Sequence, residues 1–182
     1  MSTALHFVTD NEQTLIIDQQ CCEQLGISQP TSDWFEPGFW KNHNAITGQA
    51  AGRGSTLFIH WQSADMILRR YCRGGAIRHI SKDSYVFTGL EHTRAWQELT
   101  LLKAMKQQGL PVPTGIAARI TRRSVFYQAD LLCLKIPNAK DIHEVLVEGT
   151  LPTETWHEIG KTIRQLHNAQ VYHHDLNIRN IM

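Results

Sequence analysis

The pattern of apolar and polar positions predicts a β-rich segment in the first half of the chain. Residues 55–61 are rich in β-branched and aromatic side chains, as strands are, and residues 66–71 repeat that content after a polar turn at 62–65. The two segments therefore predict a β-hairpin, with the glycine-containing segment 48–54 at its far side. Strand-like content returns over residues 115–136.

Two helices are predicted where apolar residues recur at helical spacing. The first runs from about Thr93 to Gln108 and is stopped by Gly109. Glu98 falls inside its apolar stripe, which consists of Ala95, Leu99, Leu102 and Met105. The second runs from about Thr153 to Asn168 and carries Trp156, Ile159, Ile163 and Leu166 on one side.

The N-terminal residues 1–45 are interpreted as short strands and turns that end in an aromatic-rich stretch, residues 34–40. Aromatic side chains at this density are expected to pack onto the neighbouring part of the protein. A membrane-surface anchor is disfavoured here because the residues that flank the stretch are acidic.

Composition restricts the class of protein. A chain of 182 residues with 42% hydrophobic residues buries a substantial core. It has neither an apolar run of the ~20 residues that a bilayer span requires nor a legible secretory signal, so a cytosolic location is the default expectation. The four cysteines lack CxxC spacing, and the pair Cys21 and Cys22 is interpreted as two small apolar groups.

Charge is distributed unevenly along the chain. Residues 1–60 hold two basic and six acidic residues, whereas residues 69–123 hold eleven basic and three acidic residues, a balance of +8. Such a segment attracts phosphates, acidic sugars, anionic lipid or nucleic acid. A solvated basic face without a partner remains the alternative.

The strongest chemical signal lies at the end of the chain, where His173 and Asp175 are followed by Asn180. In an H-x-D-x-x-x-x-N loop the aspartate accepts or orients the proton of an attacking hydroxyl, and the asparagine oxygen holds Mg²⁺ on nucleotide phosphates. One rigid loop must present both groups, which explains the fixed spacing. An alternative assigns His173 and Asp175 to a facial iron triad.

Two further patterns fit phosphate binding. Gly52, Arg53, Gly54 and Ser55 form a glycine loop between predicted strands, although Leu57 stands where a third glycine is usual. Glu98 within an apolar stripe requires a cation if it is buried, and Arg69 or Arg70 on the adjacent strand supplies one. Glu98 at the edge of the stripe, reaching water, is the other interpretation.

These motifs occur in an order that resembles the protein-kinase-like superfamily, and more closely the 3-deoxy-D-manno-octulosonic acid (Kdo) kinases among the lipopolysaccharide kinases. The resemblance runs from about Trp34 to Met182 and is clearest in residues 52–55, 68–75, 85–95, 109–113, 127–132 and 171–177. It implies an α+β, protein-kinase-like fold. Residues 1–45 would be an extension, 46–137 a small lobe with glycine loop and hinge, and 138–182 the start of a helical large lobe.

The resemblance also implies an activity, the ATP- and Mg²⁺-dependent phosphorylation of a Kdo hydroxyl, the 4-OH, on Kdo–lipid A. The enzyme would work as a peripheral protein at the cytoplasmic face of the bacterial inner membrane, against an anionic surface. Asp175 and His173 would be catalytic, Asn180 would bind the metal, and the nucleotide would contact Gly52, Arg53, Gly54, Ser55, Arg69, Glu98 and Asn180. Arg69 stands where protein kinases have lysine, and His174 replaces the arginine of kinases regulated by phosphorylation, which favours a glycolipid acceptor.

The sequence stops two residues after Asn180, before an Asp-Phe-Gly-like segment, so we expect a truncated chain that holds nucleotide poorly and turns over slowly or not at all. A heptose acceptor, another kinase-like phosphotransferase and a nucleic-acid-binding module are the alternative functions. Nucleic acid is not expected, because the basic residues lack interleaved stacking aromatics.

Overall fold

The computed structural model describes residues 5–10, 12–50, 56–72 and 83–182. The glycine loop predicted at Gly52, Arg53, Gly54 and Ser55 lies outside the described residues. Helices and antiparallel strands both occur, which confirms the predicted α+β class. The packing divides the chain into two units, residues 1–105 with 112–135, and residues 106–111 with 136–182.

The first unit is built on an antiparallel sheet. Its described strands are β1 (His6–Asp10), β2 (Gln13–Ile17), β3 (Ile46–Ala50), β4 (Thr56–Trp61), β5 (Ala64–Arg70), β6 (Tyr85–Val86), β7 (Gly115–Arg123) and β8 (Phe126–Leu134). They follow the order β1-β2-β7-β8-β5-β4-β3, and β6 pairs with the start of β8. The predicted hairpin is confirmed as β4 and β5, and the strand-like segment after it is the hairpin of β7 and β8.

The described helices are α1 (Gln19–Leu25), α2 (Pro37–Asn42), α3 (Arg94–Gln107), α4 (Ile142–Glu148) and α5 (Thr153–Asn168), with 3₁₀ turns at Ser32–Phe35 and Leu90–His92. The predictions of α3 and α5 are confirmed. Gly109 ends the α3 segment with a φ of +73°, a conformation that favours glycine.

One face of the sheet is covered by α3. All four residues of its predicted apolar stripe are buried, and they are Ala95, Leu99, Leu102 and Met105. The helix approaches β7 so closely at Gly115 that an added Cβ would lie 2.5 Å from Cδ1 of Leu99. A side chain at this position would therefore push α3 away from the sheet.

The opposite face packs against the N-terminal segment. Trp34, Phe35 and Trp40 are buried in one cluster with sheet residues such as Met66 and Leu132, which confirms that the aromatic stretch packs onto its neighbour. Trp40 Nε1 donates to the Trp34 carbonyl at 2.6 Å. The interpretation of residues 1–45 as strands and turns alone is wrong, because α1 and α2 lie within them.

The two adjacent cysteines belong to this cluster, in α1. Burial, together with the charge of Asp18, raises the pKa of the Cys21 thiol to about 12 and that of the Cys22 thiol to about 11. Both thiols are free and buried, so their interpretation as small apolar groups is confirmed.

The second unit contains α4, α5 and the segment that ends at Met182. Within the described ranges, no helix combines the length and apolar character that a bilayer crossing demands.

Candidate functional site

Arg69 and Glu98 form an ion pair between β5 and α3. Arg69 Nη2 donates to Glu98 Oε1 at 2.6 Å, so the predicted pairing is confirmed. The two side chains are 44% and 38% exposed, respectively. Burial by itself would lower the pKa of Arg69, but the charge of Glu98, the nearby Tyr71 and Cys133 and the hydrogen bond to Glu98 together outweigh burial, so this pKa is raised above its usual value. The pair is therefore held in place while its outer side is open to a ligand.

Tyr71 supports the same pair, and sequence reasoning missed it. Its hydroxyl donates to Glu98 Oε2 at 2.5 Å, and Cζ of Arg69 lies 5.1 Å from the centre of its ring. Burial, with the nearby charge of Glu98, raises the pKa of Tyr71, so the hydroxyl remains a donor. The period of two along a strand was the available signal, because Tyr71 follows Arg69 by two residues.

Arg70 lies on the other face of the sheet. Its Nε donates to Asp130 Oδ1 at 2.9 Å, and Asp130 also accepts from Arg119 Nη2 at 2.8 Å. The alternative in which Arg70 pairs with Glu98 is therefore wrong. Successive residues of a strand point to opposite faces, so only one of the two arginines reaches α3.

A half-buried row crosses three strands on the Arg69 face of the sheet. Phe58 of β4 is opposite Ile67 of β5, which is opposite Cys133 of β8, and Ile67 precedes Arg69 by two residues. Burial, together with the nearby charge of Glu98, raises the pKa of the Cys133 thiol to about 12, so the row is uncharged at neutral pH. Sequence reasoning missed this row because the strand register was unknown.

In the second unit, Asp175 is held through its backbone. Its amide donates to Nδ1 of His173 at 3.2 Å, and its carbonyl accepts from Asn180 Nδ2 at 2.7 Å and from Asn177 Nδ2 at 3.0 Å. The carboxylate has a longer contact, 3.3 Å from Asn177 Nδ2 to Oδ1. The loop thus presents an exposed carboxylate on a fixed backbone, and His173 contacts that backbone.

Helix α4 anchors the end of this loop. The amides of Ile142 and His143, at the N-terminal turn of α4, donate to the carbonyls of Ile181 at 3.0 Å and Ile178 at 3.2 Å. Amides in a first helical turn have no partner within the helix, so the loop satisfies them. Arg179 Nη2 also donates to His143 Nε2 at 2.8 Å.

Helix α4 begins with a reciprocal capping box, a sequence signal that could have predicted this helix and was missed. Asp141 Oδ1 accepts from the Glu144 amide at 2.8 Å, and Glu144 Oε2 accepts from the Asp141 amide at 3.3 Å. Serine, threonine, aspartate or asparagine followed three positions later by glutamate or glutamine is the usual signature of a helix start, and Asp141 with Glu144 has it.

Asn180 fits one ligand of a magnesium ion. Its hydrogen bond uses Nδ2, so the amide orientation is fixed and Oδ1 is the atom suited to a hard cation. Magnesium usually takes only one or two protein ligands beside phosphates and water, which agrees with a single amide oxygen. Over the described ranges, no three His, Cys, Asp or Glu side chains come together as a metal site, so the iron-triad alternative lacks a third ligand there.

Comparisons with known proteins agree on one family. The profile of the lipopolysaccharide kinase (Kdo/WaaP) family matches residues 38–182. A 3-deoxy-D-manno-octulosonic acid kinase of Vibrio cholerae is 42% identical over 86% of this chain and 66% of its own length. Enzymes of the same name from Photobacterium profundum and Haemophilus influenzae strain PittEE are 43% and 40% identical, over 81% and 97% of this chain and 63% and 73% of their own lengths. The chain thus spans about two thirds of these curated relatives, and no solved structure matches it.

Proposed function

Because the chain belongs to the lipopolysaccharide kinase (Kdo/WaaP) family, we propose that it transfers the γ-phosphoryl group of ATP to a hydroxyl of a Kdo sugar on Kdo–lipid A. We propose a protein-kinase-like fold, with the first unit as the small lobe and the second as the start of the large lobe. The observation that carries the proposal is the exposed carboxylate of Asp175 on a backbone fixed by His173 and Asn180.

Arg69 is the proposed phosphate contact. Its guanidinium is fixed by Glu98 and Tyr71 and is partly exposed, so it meets the α- and β-phosphates without first ordering a flexible side chain. Arginine serves here as lysine does in protein kinases, with additional donors for phosphate oxygens. Gly52, Arg53, Gly54 and Ser55 are proposed to cover the same phosphates.

The row of Phe58, Ile67 and Cys133 is proposed to hold the adenine ring. An uncharged, half-buried surface on the Arg69 face suits a flat aromatic base next to charged phosphates. This placement makes the face of β5 that points towards α3 the nucleotide face.

Asp175 is the proposed general base, and Asn180 supplies an oxygen ligand to magnesium. Magnesium, if held by Asn180, would neutralise charge on the transferring phosphates. Asp175 orients the sugar hydroxyl and takes its proton as the oxygen attacks the γ-phosphorus and the bond to ADP breaks. His173 is proposed as a positioning residue, because its Nδ1 holds the Asp175 amide.

The acceptor is proposed to be the 4-OH of Kdo, at the cytoplasmic face of the inner membrane. The test is phosphoryl transfer from labelled Mg²⁺-ATP to Kdo–lipid A, to lipid A without Kdo, to a heptose-bearing acceptor and to a general protein substrate. We expect label only in Kdo–lipid A. Label in the heptose acceptor or the protein alone would contradict the acceptor assignment, and label in neither lipid nor protein would contradict the kinase assignment.

A further inference from the structure

Apolar side chains are exposed at the end of the sheet, where β7 turns into β8. Val125 is 60% exposed, Val86 is 57% exposed and Phe126 is 46% exposed. Val86 and Phe126 are directly opposite each other in the sheet, and the Phe87 amide donates to the Val125 carbonyl at 2.9 Å. These residues, with Phe87 and the adjacent Arg122 and Arg123, are called the hairpin tip below.

The turn itself is unusual in composition. Ser124 and Val125 connect the paired residues Arg123 and Phe126, and Ser124 takes a φ of +57°. Tight turns are normally formed by glycine, asparagine, aspartate or serine, which tolerate a positive φ or hydrogen-bond to the nearby backbone, and valine does neither. Val125 and Phe126 therefore expose apolar surface at a turn that a polar residue could form equally well.

Arginines border the apolar residues. Arg122 Nε donates to the Ser124 carbonyl at 3.0 Å, and its Cζ lies 4.7 Å from the centre of the Phe87 ring, so this charge is fixed beside the turn. Arg123 is exposed opposite Phe126. Two acidic residues lie close: Glu12, whose carbonyl accepts from the Arg122 amide, and Asp83, whose carboxylate is occupied by Gln128 Nε2 at 2.8 Å.

We propose that the hairpin tip inserts into the interfacial region of an anionic lipid membrane. Valine and phenylalanine enter the boundary between head groups and acyl chains, while Arg122 and Arg123 meet lipid phosphates. The choice of partner rests on the proposed function, in which the acceptor is lipid-linked. The surface itself follows from the exposure and charge of the tip.

The shape and chemistry of the tip favour a membrane over other occupants. A two-residue turn at the end of a sheet is convex and offers far less than the roughly 800 Å² per partner of a stable protein interface. Single-stranded nucleic acid is bound by successive bases that stack on aromatic rings, whereas in the tip Phe126 is the one exposed aromatic side chain, Arg122 lies against the Phe87 ring, and Val86 and Val125 are aliphatic. Binding to a lipid surface depends on the apolar area that is buried and on attraction to anionic head groups, and the tip offers both exposed apolar side chains and arginines.

The test is cosedimentation of the whole protein with vesicles of phosphatidylethanolamine and phosphatidylglycerol, or of phosphatidylcholine alone. The double variant Val125→Ser/Phe126→Ser should bind the anionic vesicles about tenfold less tightly or worse, through lost apolar burial. Arg122→Gln/Arg123→Gln should lose up to about 25-fold at low salt, at roughly fivefold per arginine. The matched control Leu101→Ser/Val147→Ser removes exposed apolar residues elsewhere and should bind normally.

Equal binding by the tip variants and the control, with unchanged circular dichroism, would overturn the proposal. A change of oligomeric state in the tip variants, measured without vesicles as the molecular mass in solution, would also overturn the proposal, because it would identify the tip as an interface between copies of the chain. Preference for single-stranded RNA over anionic vesicles would do the same. Because no nucleotide or acceptor is present, these results are independent of phosphoryl transfer to Kdo–lipid A in detergent, which tests the proposed function.

Discussion

At the scale of single residues, Arg69 and Arg70 have identical side chains and different surroundings. Arg69 meets Glu98 on the α3 face, and Arg70 meets the buried Asp130 on the other. The sequence predicted that one arginine pairs with Glu98 but left open which one, because alternation assigns faces only when the strand register is known. Tyr71 was missed although it follows Arg69 by two residues, a spacing that places both side chains on one face of a strand whatever the register.

The first residue-scale prediction concerns this ion pair. Arg69→Glu and Glu98→Arg should each weaken ATP binding. The double variant, which swaps the two charges, should recover part of the lost affinity, because the effects of substitutions at two residues in contact do not simply add. Tyr71→Phe keeps the ring under Arg69 and removes one hydrogen bond, so we expect a severalfold rise in KM for ATP with little change in kcat. Steady-state kinetics and nucleotide titration measure both effects.

Arg70→Gln is the matched control for that series. It alters the same kind of side chain one residue away, on the other face of β5, and should lower stability while leaving ATP affinity unchanged. Strictly additive losses in the swap, or a larger loss of ATP affinity in Arg70→Gln than in Arg69→Gln, would contradict the pairing as the nucleotide contact.

The second residue-scale prediction concerns Asp175→Asn. The loop is held by the backbone of Asp175, and the substitution keeps the shape of the side chain, so the thermal midpoint and ATP affinity should remain close to those of the parent. Loss of a general base should lower kcat about 10²–10⁴-fold. Normal turnover, or a loss that unfolding fully accounts for, would remove Asp175 from the catalytic role.

At the scale of elements, the sequence predicted those helices and strands whose apolar residues recur with a clear period. The hairpin of β4 and β5 and the long helices α3 and α5 carry clear apolar patterns, and the structure confirms them. The short helices α1, α2 and α4 have two turns or fewer, too few residues for a helical period to emerge. For such short helices the signal in the sequence is the residues that cap the ends, as in the capping box of Asp141 and Glu144 in α4.

The element-scale prediction is that the start of α4 holds the loop that carries Asp175 in its conformation. Asp141→Ala removes the cap and should lower the free energy of unfolding by about 1 kcal/mol. Because the amides of Ile142 and His143 hold the loop carbonyls, kcat should also fall, with ATP affinity largely retained. Glu148→Gln is the control at the other end of α4. Its ion pair with Lys140 is exposed, so both measurements should change little. Equal kcat in the two variants would contradict the anchoring role.

At the scale of the first unit, a buried charge network joins the sheet to the N-terminal segment. Arg119 of β7 donates to Asp130 of β8 and to the carbonyls of Phe35 and Ser32, and its Nη1 reaches Glu36 Oε1 at 2.5 Å. Arg119 and Asp130 are each 3% exposed. Arg119 belongs to the basic segment for which a solvated surface was one of the two interpretations. It is buried instead, and its hydrogen bonds connect residues 32–36 to the sheet.

This network leads to the last prediction, which is measured by denaturant unfolding. Asp130→Ala leaves Arg119 buried without its main counter-charge, so the free energy of unfolding should fall by about 3–5 kcal/mol. Glu36→Gln removes the exposed end of the network, where Glu36 is 56% exposed, and should cost less than about 1 kcal/mol. Replacing both central charges, in Arg119→Met/Asp130→Leu, should be less destabilising than Asp130→Ala, because Arg70 loses its partner in both variants but only Asp130→Ala also leaves the buried Arg119 without its main counter-charge. A double variant as unstable as the sum of its single variants would show instead that the charges hold the N-terminal segment through contacts that apolar packing does not replace.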